Sequence, residues 1–344
     1  MPTPNLDERS AEVLKSLIQA HVATGEPVGS ESLSKLLARP LSPATIRNIM
    51  ADLEKLGLLE HPHTSAGRMP TDEGYRYFVD ALMGREPVPA RDAAAIRSGL
   101  RPREGSPQEV LENAVHLLSR LTRNVAFVLA PDIARTSFRH VDFVRLPHPR
   151  VLAVLVDQTG LVTHKVIEVD EELAQDQLQA CANYLNQNFS GLRLPEVRQR
   201  LLQLMQEEKA LYDSLLQKVA KLERAFAGDG EGNVIVDGTA NMLQQPAVDM
   251  GQMRALFKTF EEKGRLVKIL NACLSDEGIR ILIGHEHAEP DLRGTSLVSA
   301  SYPIDGAGFG VGVLGSTRME YARVVALVDH VAREIARALK EVRA

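Results

Sequence analysis

Residues 42–71 constrain this chain more than any other stretch. Ser42 is an N-cap residue, and Pro43 follows at the first helical position, where a missing N–H costs nothing. Ile46, Ile49, Met50, Leu53 and Leu56 then fall on one apolar stripe at helical period, and Gly57 stops the helix. Ala44, Thr45, Arg47, Asn48 and Ala51 share the opposite face. Leu58–Glu60 suits a short strand, a Pro/His/Ser/Gly tip follows, and Arg68-Met69-Pro70-Thr71 returns. A helix with base-reaching side chains in its first turns, followed by a two-stranded ribbon with an arginine near its tip, suits a winged helix on DNA. Arginine pairs with guanine and asparagine with adenine in the major groove, and an arginine on the ribbon can enter a minor groove. The competing reading is a surface helix and hairpin of any α/β protein.

The residues before Ser42 supply the scaffold. Asn5 or Asp7 can cap a first helix whose buried side is Val13, Leu14, Leu17, Ile18 and Val22, and Thr24–Gly29 breaks it. Ser30 is positioned to cap a short helix with Leu33, Leu36 and Leu37 inward, and Ala38–Leu41 turns into the Ser42 helix. Helix, short helix, tight turn, longer helix and ribbon is the order of a helix-turn-helix with a wing. After Pro70-Thr71, Asp72 can cap another helix carrying Tyr75, Phe78, Val79 and Leu82.

Charge argues the other way. The chain of 344 residues carries a net charge of −5. Its first 85 residues hold nine Lys/Arg against eleven Asp/Glu, a balance of −2, short of the basic footprint of many DNA-binding modules. Positive charge for DNA must therefore be local, with few phosphate contacts and a modest salt dependence. Cys181 and Cys273 have no CxxC partner and no apolar run spans a bilayer, so a reduced cytoplasmic protein without signal peptide or membrane span is expected.

Gly25-Glu26-Pro27-Val28-Gly29-Ser30, Leu41–Asn48, His63–Thr71 and Gly74-Tyr75-Arg76 closely resemble the heat-inducible transcription repressor HrcA family, and Gly315–Val324 resembles that family's closing signature. The resemblance spans both ends of the chain. Ile49, where the family has an acidic residue, and the tract Gly284-His285-Glu286-His287 depart from its pattern. The resemblance implies an inverted-repeat operator ahead of chaperone operons, and a chaperonin partner that helps keep the repressor active. On this reading Ser42, Ala44, Thr45, Arg47 and Asn48 of the helix, with His63, Thr64, Ser65 and Arg68 of the wing, contact DNA.

Gly84–Pro107 is rich in proline and reads as a linker with one helical piece, Arg91–Leu100. An amphipathic helix over 107–122 precedes strands Val125–Leu129, Phe138–Leu146, Val151–Val156 and Leu161–Val169, the last two joined by a hairpin at Asp157–Gly160. Residues 171–227 read as helical, and Leu201, Leu204, Met205, Leu211, Leu215, Val219, Leu222 and Phe226 form a long apolar seam. That seam packs either on its own domain's sheet or on a second copy of the chain. Beyond it come a short strand at Val234–Val236, helices near 249–262 and 264–274, strands Ile279–Ile283, Leu297–Tyr302 and Gly308–Leu314, and a final helix near 319–342. This order suits an α+β sensor-like domain with an insertion. With the resemblance, the expected layout is a winged helix at 1–84, a linker at 85–106, a GAF-like domain of 107–170 and 241–344, and an inserted dimerisation domain at 171–240.

Catalytic chemistry finds little footing. Gly310-Val-Gly312-Val-Leu-Gly315 matches GxGxxG, yet valines alternate with the glycines, so the motif reads as a strand rather than a phosphate loop. His285 and His287 lack a second ligand pair and read as solvated loop residues. No nucleophile elbow, Walker motif or HExxH is present, so neither an enzyme nor a cofactor is expected. Two rivals to a DNA-binding homodimer stay open: a regulator whose GAF-like domain binds a small molecule, and an interaction module whose winged helix no longer binds DNA.

Overall fold

A computed structural model describes residues 4–62, 67–84, 86–101, 107–129, 137–147, 150–158, 160–169, 173–207, 218–222, 234–242, 278–304 and 307–341. Helix α1 (Glu8–Thr24) is capped by Asp7, whose Oδ1 accepts from the Ser10 N–H at 2.8 Å, and ends at Gly25 with φ 78°. Helix α2 (Ser30–Ser34) follows Gly29 without a side-chain cap, so the expected Ser30 cap is not made. Leu36 was expected inward, but the helix has already ended there and Leu36 is 59% exposed. Helix α3 (Pro43–Lys55) buries Ile46, Met50 and Leu53, while Leu56 at its C-cap turns outward. Gly57 follows at φ 75°, as the sequence predicts.

Strands β1 (Leu59–Glu60) and β2 (Met69–Pro70) pair antiparallel to form the wing's base. Helix α4 (Asp72–Tyr77) continues as a π-helical turn, Phe78–Leu82. Its cap is Thr71 rather than Asp72: Thr71 Oγ1 accepts from the Gly74 N–H and donates to the Gly57 carbonyl at 2.6 Å, tying the start of α4 to the end of α3. Gly74 sits so close to Leu58 that a Cβ there would collide with the Leu58 carbonyl.

The segment read as a linker contains α5 (Ala90–Gly99), whose Ile96 is fully buried. It packs beside α6 (Pro107–Thr122), which leads into β3 (Val125–Leu129). Next come β4 (Phe138–Leu146), β5 (Arg150–Asp157), β6 (Val162–Glu168), α7 (Gln175–Phe189) and α8 (Leu194–Glu207). The chain closes with β7 (Val234–Asp237), β8 (Gly278–Ile283), β9 (Thr295–Ile304), β10 (Ala307–Ser316) and α9 (Tyr321–Glu341). The helices expected near 249–262 and 264–274, and Cys273, lie outside the described residues.

Five strands form one antiparallel sheet in the order β7-β3-β10-β9-β8. Helices α6 and α9 lay Val115, Leu118, Val328 and Ile335 on Val128, Val298 and Val311, and this core is continuous with that of the winged helix. Strands β4, β5 and β6 form a separate sheet with its own core of Phe138, Phe143, Leu155, Leu178, Leu185, Val197, Leu201, Val219 and Leu222.

These two cores divide the chain at places other than the expected borders. The border at 170/171 falls between β6 and α7, which share one core. Strand β7, placed in the insertion by its position in the sequence, pairs instead with β3. Alternation marks a strand and its buried face but does not say which sheet it joins.

Candidate nucleic-acid interface

Ala44, Thr45, Arg47 and Asn48 are all exposed on α3, on the side away from buried Ile46 and Met50. Ser42 Oγ accepts from the Thr45 N–H at 3.1 Å and lies 2.8 Å from Thr45 Oγ1. The first turn is therefore locked by its cap, and the Thr45 hydroxyl is engaged with Ser42. No other described residue bonds the side chains of Arg47 or Asn48, and both stand clear at helical spacing.

The charge deficit is sharpened by geometry. Arg39 pairs with Glu8 at 3.3 Å, Lys55 with Asp52 at 2.8 Å, Arg68 with Glu54 at 2.8 Å and Arg76 with Glu286 at 2.7 Å. Arg47 is the arginine that α3 keeps without such a partner among the described residues.

Arg68 differs from the expectation of a groove-reaching wing residue. Its Nε donates to Glu54 Oε2, its side chain is only 20% exposed, and its backbone exchanges hydrogen bonds with Val28 at 2.9 and 3.0 Å. A Cβ on neighbouring Gly67 would collide with the Val28 carbonyl. Arg68 thus clamps the wing's base to α3 and to the α1–α2 loop. His63, Thr64 and Ser65 lie outside the described residues.

A second cluster, unforeseen in the sequence, joins the winged helix to the five-stranded sheet. Arg76 donates through Nε and Nη2 to the two Glu286 carboxylate oxygens at 2.7 Å, and through Nη2 to the Ile281 carbonyl. Asp72 Oδ2 accepts from the His285 backbone N–H at 3.0 Å and stands 3.1 Å from His285 Nδ1. The Tyr75 and Tyr321 rings pack 5.9 Å apart, and Tyr321 also bonds Ser296 and the Thr317 carbonyl. The tract Gly284–His287 is therefore a joint rather than a solvated loop. His287 is 2% exposed, and burial pushes its imidazole below the ordinary range. Burial alone would raise the Glu286 carboxyl, but the bonds from Arg76 and the Ile283 N–H hold it lower.

Among the described residues no three His, Cys, Asp or Glu side chains gather as metal ligands. The GxGxxG stretch lies inside β10, as its alternation predicts; a Cβ on Gly312 would stand 2.6 Å from Phe127 Cζ and the Val298 carbonyl. Those glycines allow close strand packing. Cys181 is buried, and burial pushes its thiol up to about 11. No described helix is long and apolar enough to cross a membrane.

The apolar seam is partly accounted for. Leu201, Val219 and Leu222 are buried in the core under β4–β6, so these three pack within their own chain. Leu211, Leu215 and Phe226, with the side chain of Leu204, lie outside the described residues.

Residues 5–81 match the family described as "Winged helix-turn-helix transcription repressor, HrcA DNA-binding", and residues 108–325 match "HrcA protein C terminal domain". Among curated relatives, a "Heat-inducible transcription repressor HrcA" from Geobacter sulfurreducens is 39% identical over 338 residues, covering 98% of this chain and 99% of that protein. One of the same name from Rhodopseudomonas palustris is 42% identical, covering 97% and 94%. A solved structure of a hypothetical protein shares the fold at TM-score 0.65 and 22% identity, covering 98% of this chain. With matches to both family descriptions and relatives of this identity along its whole length, the chain belongs to the HrcA family of heat-inducible transcription repressors.

Proposed function

We propose that this protein is a homodimeric repressor of heat-shock chaperone operons that reads an inverted-repeat, double-stranded operator and is kept active by the chaperonin. The observation that carries the DNA reading is the exposed face of α3, where Arg47 and Asn48 stand beside Ala44 and Thr45 without a side-chain partner among the described residues. Arg47 reads a guanine and Asn48 an adenine, while the capped first turn around Ser42 lies against the backbone. Two-fold symmetry of the protein then calls for half-sites on one face of the duplex.

The dimer contact is better sought on the outer face of the β4–β6 sheet than in the part of the seam already buried. Val144, Leu152 and Val166 form one cross-strand row there, and Val156 pairs with Val162 in another. Val144, Val162 and Val166 are 41%, 49% and 49% exposed. A sheet is normally apolar on one face when the other meets water, and this one carries aliphatic rows on its outer face too, interleaved with the row of Asp142 and His164 and that of Arg150 and Glu168. Val166→Glu should convert a dimer to a monomer in sedimentation velocity and weaken binding to the full inverted repeat more than to a half-site. A dimer unchanged by Val144→Glu, Val162→Glu and Val166→Glu together would move the interface elsewhere.

The heat link is supported by the names of the relatives and by a physical rationale. A dimer that dissociates on warming uncovers that aliphatic face and becomes a chaperonin client. Operator binding in a gel shift should fall on mild warming and return when chaperonin and ATP are added. Full binding after warming, with no aggregation, would remove the chaperonin from the mechanism.

A further inference from the structure

A cavity of about 600 Å³ opens between the end of α1 and the connection from β10 to α9. Four arginines line it: Arg120 and Arg123 at the end of α6, Arg318 before α9, and Arg323 on it. Glu320 is the one acidic residue among the described lining residues, and Asp92 approaches Arg323 from α5 at 3.6 Å. Glu320 stands 3.7 Å from Arg323, so both carboxylates engage that one arginine, and Arg120 and Arg318 have no carboxylate partner among the described residues. Among the described residues, the Nε atoms of Arg318 and Arg323 are buried without a hydrogen-bond partner, an unfavourable state for a charged donor.

The arginines are held in place by the fold. The Arg318 guanidinium lies against Gly25, the αL residue that ends α1, where a Cβ would collide with Nη1. The negative end of the α1 dipole retains the cation there without supplying a full charge. Arg123 occupies the position after α6 with φ 54°, a conformation that favours glycine, and its N–H bonds the Ser119 carbonyl at 2.8 Å. The stretch Gly315–Val324 that supplies Arg318 and Arg323 takes no part in the exposed face of α3.

We propose that this cavity binds a phosphate-bearing small molecule. Guanidinium forks match the paired oxygens of a phosphate, and several forks around one cavity favour a ligand with at least two negative charges. The volume is that of a small-molecule site, about 300–1,000 Å³ in general. A phosphate held there bridges α1 of the winged helix to the β10–α9 connection, so occupancy stiffens the joint between them. This site does not depend on the operator reading.

The test uses the full chain with inorganic pyrophosphate, read by titration calorimetry and by thermal midpoint at constant ionic strength balanced with chloride. Binding at one site per chain and a saturable rise in midpoint are expected. Arg318→Ala and Arg323→Ala should each weaken binding at least ten-fold. Arg318→Lys, which keeps the charge but loses the fork, should fall between and guards against misfolding of the alanine variant. Arg47→Ala should bind pyrophosphate normally, which separates this site from the DNA surface. Equal stabilisation by chloride alone, or wild-type affinity in properly folded Arg318 and Arg323 variants, would overturn the assignment.

Discussion

Arg47→Ala is expected to lose about 1–3 kcal/mol of operator affinity, concentrated at a single base pair of each half-site. The expectation follows from what surrounds Arg47. It stands exposed on α3, one turn beyond a first turn fixed by the Ser42 cap, and no described carboxylate holds it. Its neighbours Arg39, Lys55 and Arg68 all have partners within the chain. With a balance of −2 over the first 85 residues, little general attraction remains to compensate for its loss. The measurement is a gel shift or anisotropy titration against operators altered at each position in turn. Wild-type protein should discriminate sharply at one guanine, and the variant should not. Uniform weakening across all operators, with a reduced salt slope, would make Arg47 a phosphate contact instead. Arg39→Ala serves as the control: its pair with Glu8 is exposed, and exposed pairs contribute at most about 1 kcal/mol.

Arg76→Ala should destabilise the attachment of the winged helix by about 2 kcal/mol, the lower end for a broken buried pair after discounting for partial exposure. The guanidinium satisfies both oxygens of Glu286 and the Ile281 carbonyl, and both charged side chains are about a quarter exposed. Glu286→Gln, which keeps the shape and removes the charge, should cost less. The double variant should cost less than the sum of the two, because the partners form one unit. Additivity would mean that the pair contributes no coupling. The same joint carries a pH signature. His287 has its pKa lowered from 6.5, so its contribution is full above 6.5 and declines as pH falls below that value. Glu286, lowered from 4.5, contributes above 4.5 and loses its share on further acidification. Acid therefore loosens the joint in two successive steps, to be followed by denaturant midpoint between neutral and acid pH. In Arg76→Ala the lower step should shrink while the His287 step remains.

The larger reversals between expectation and structure concern contacts between distant residues. Arg68 looked like a wing arginine because its position near the tip is local information. Its engagement with Glu54, fourteen residues earlier, requires the ribbon to fold back onto α3. The tract Gly284–His287 looked solvated because His, Glu and Gly favour loops; Arg76, 210 residues before Glu286, makes it a joint. Leu201, Val219 and Leu222 showed as a seam at helical period in either setting, since a stripe is equally apolar whether it meets a sheet or a second chain. Leu36 and Leu56 continue the apolar stripes in the sequence, but both lie beyond the ends of their helices and turn outward.

What the sequence by itself determined is most of the described elements and the exposed face of α3. The cap at Ser42, the stop at Gly57, the order of a winged helix, the strand character of Gly310–Gly315 and the family resemblance all rest on residues close together in the chain. Side-chain periodicity and capping act over three or four residues, so a linear reading captures them. Tertiary structure alone decided which cations are paired, which sheet each strand joins, where the winged helix is fastened and where arginines gather around a cavity. Those depend on how far-separated segments close onto one another, and no local spacing encodes that closure. The stretch 42–71 thus announced α3 and its exposed face, while the fold showed Arg68 paired with Glu54 and Arg47 without an ion-pair partner among the described residues.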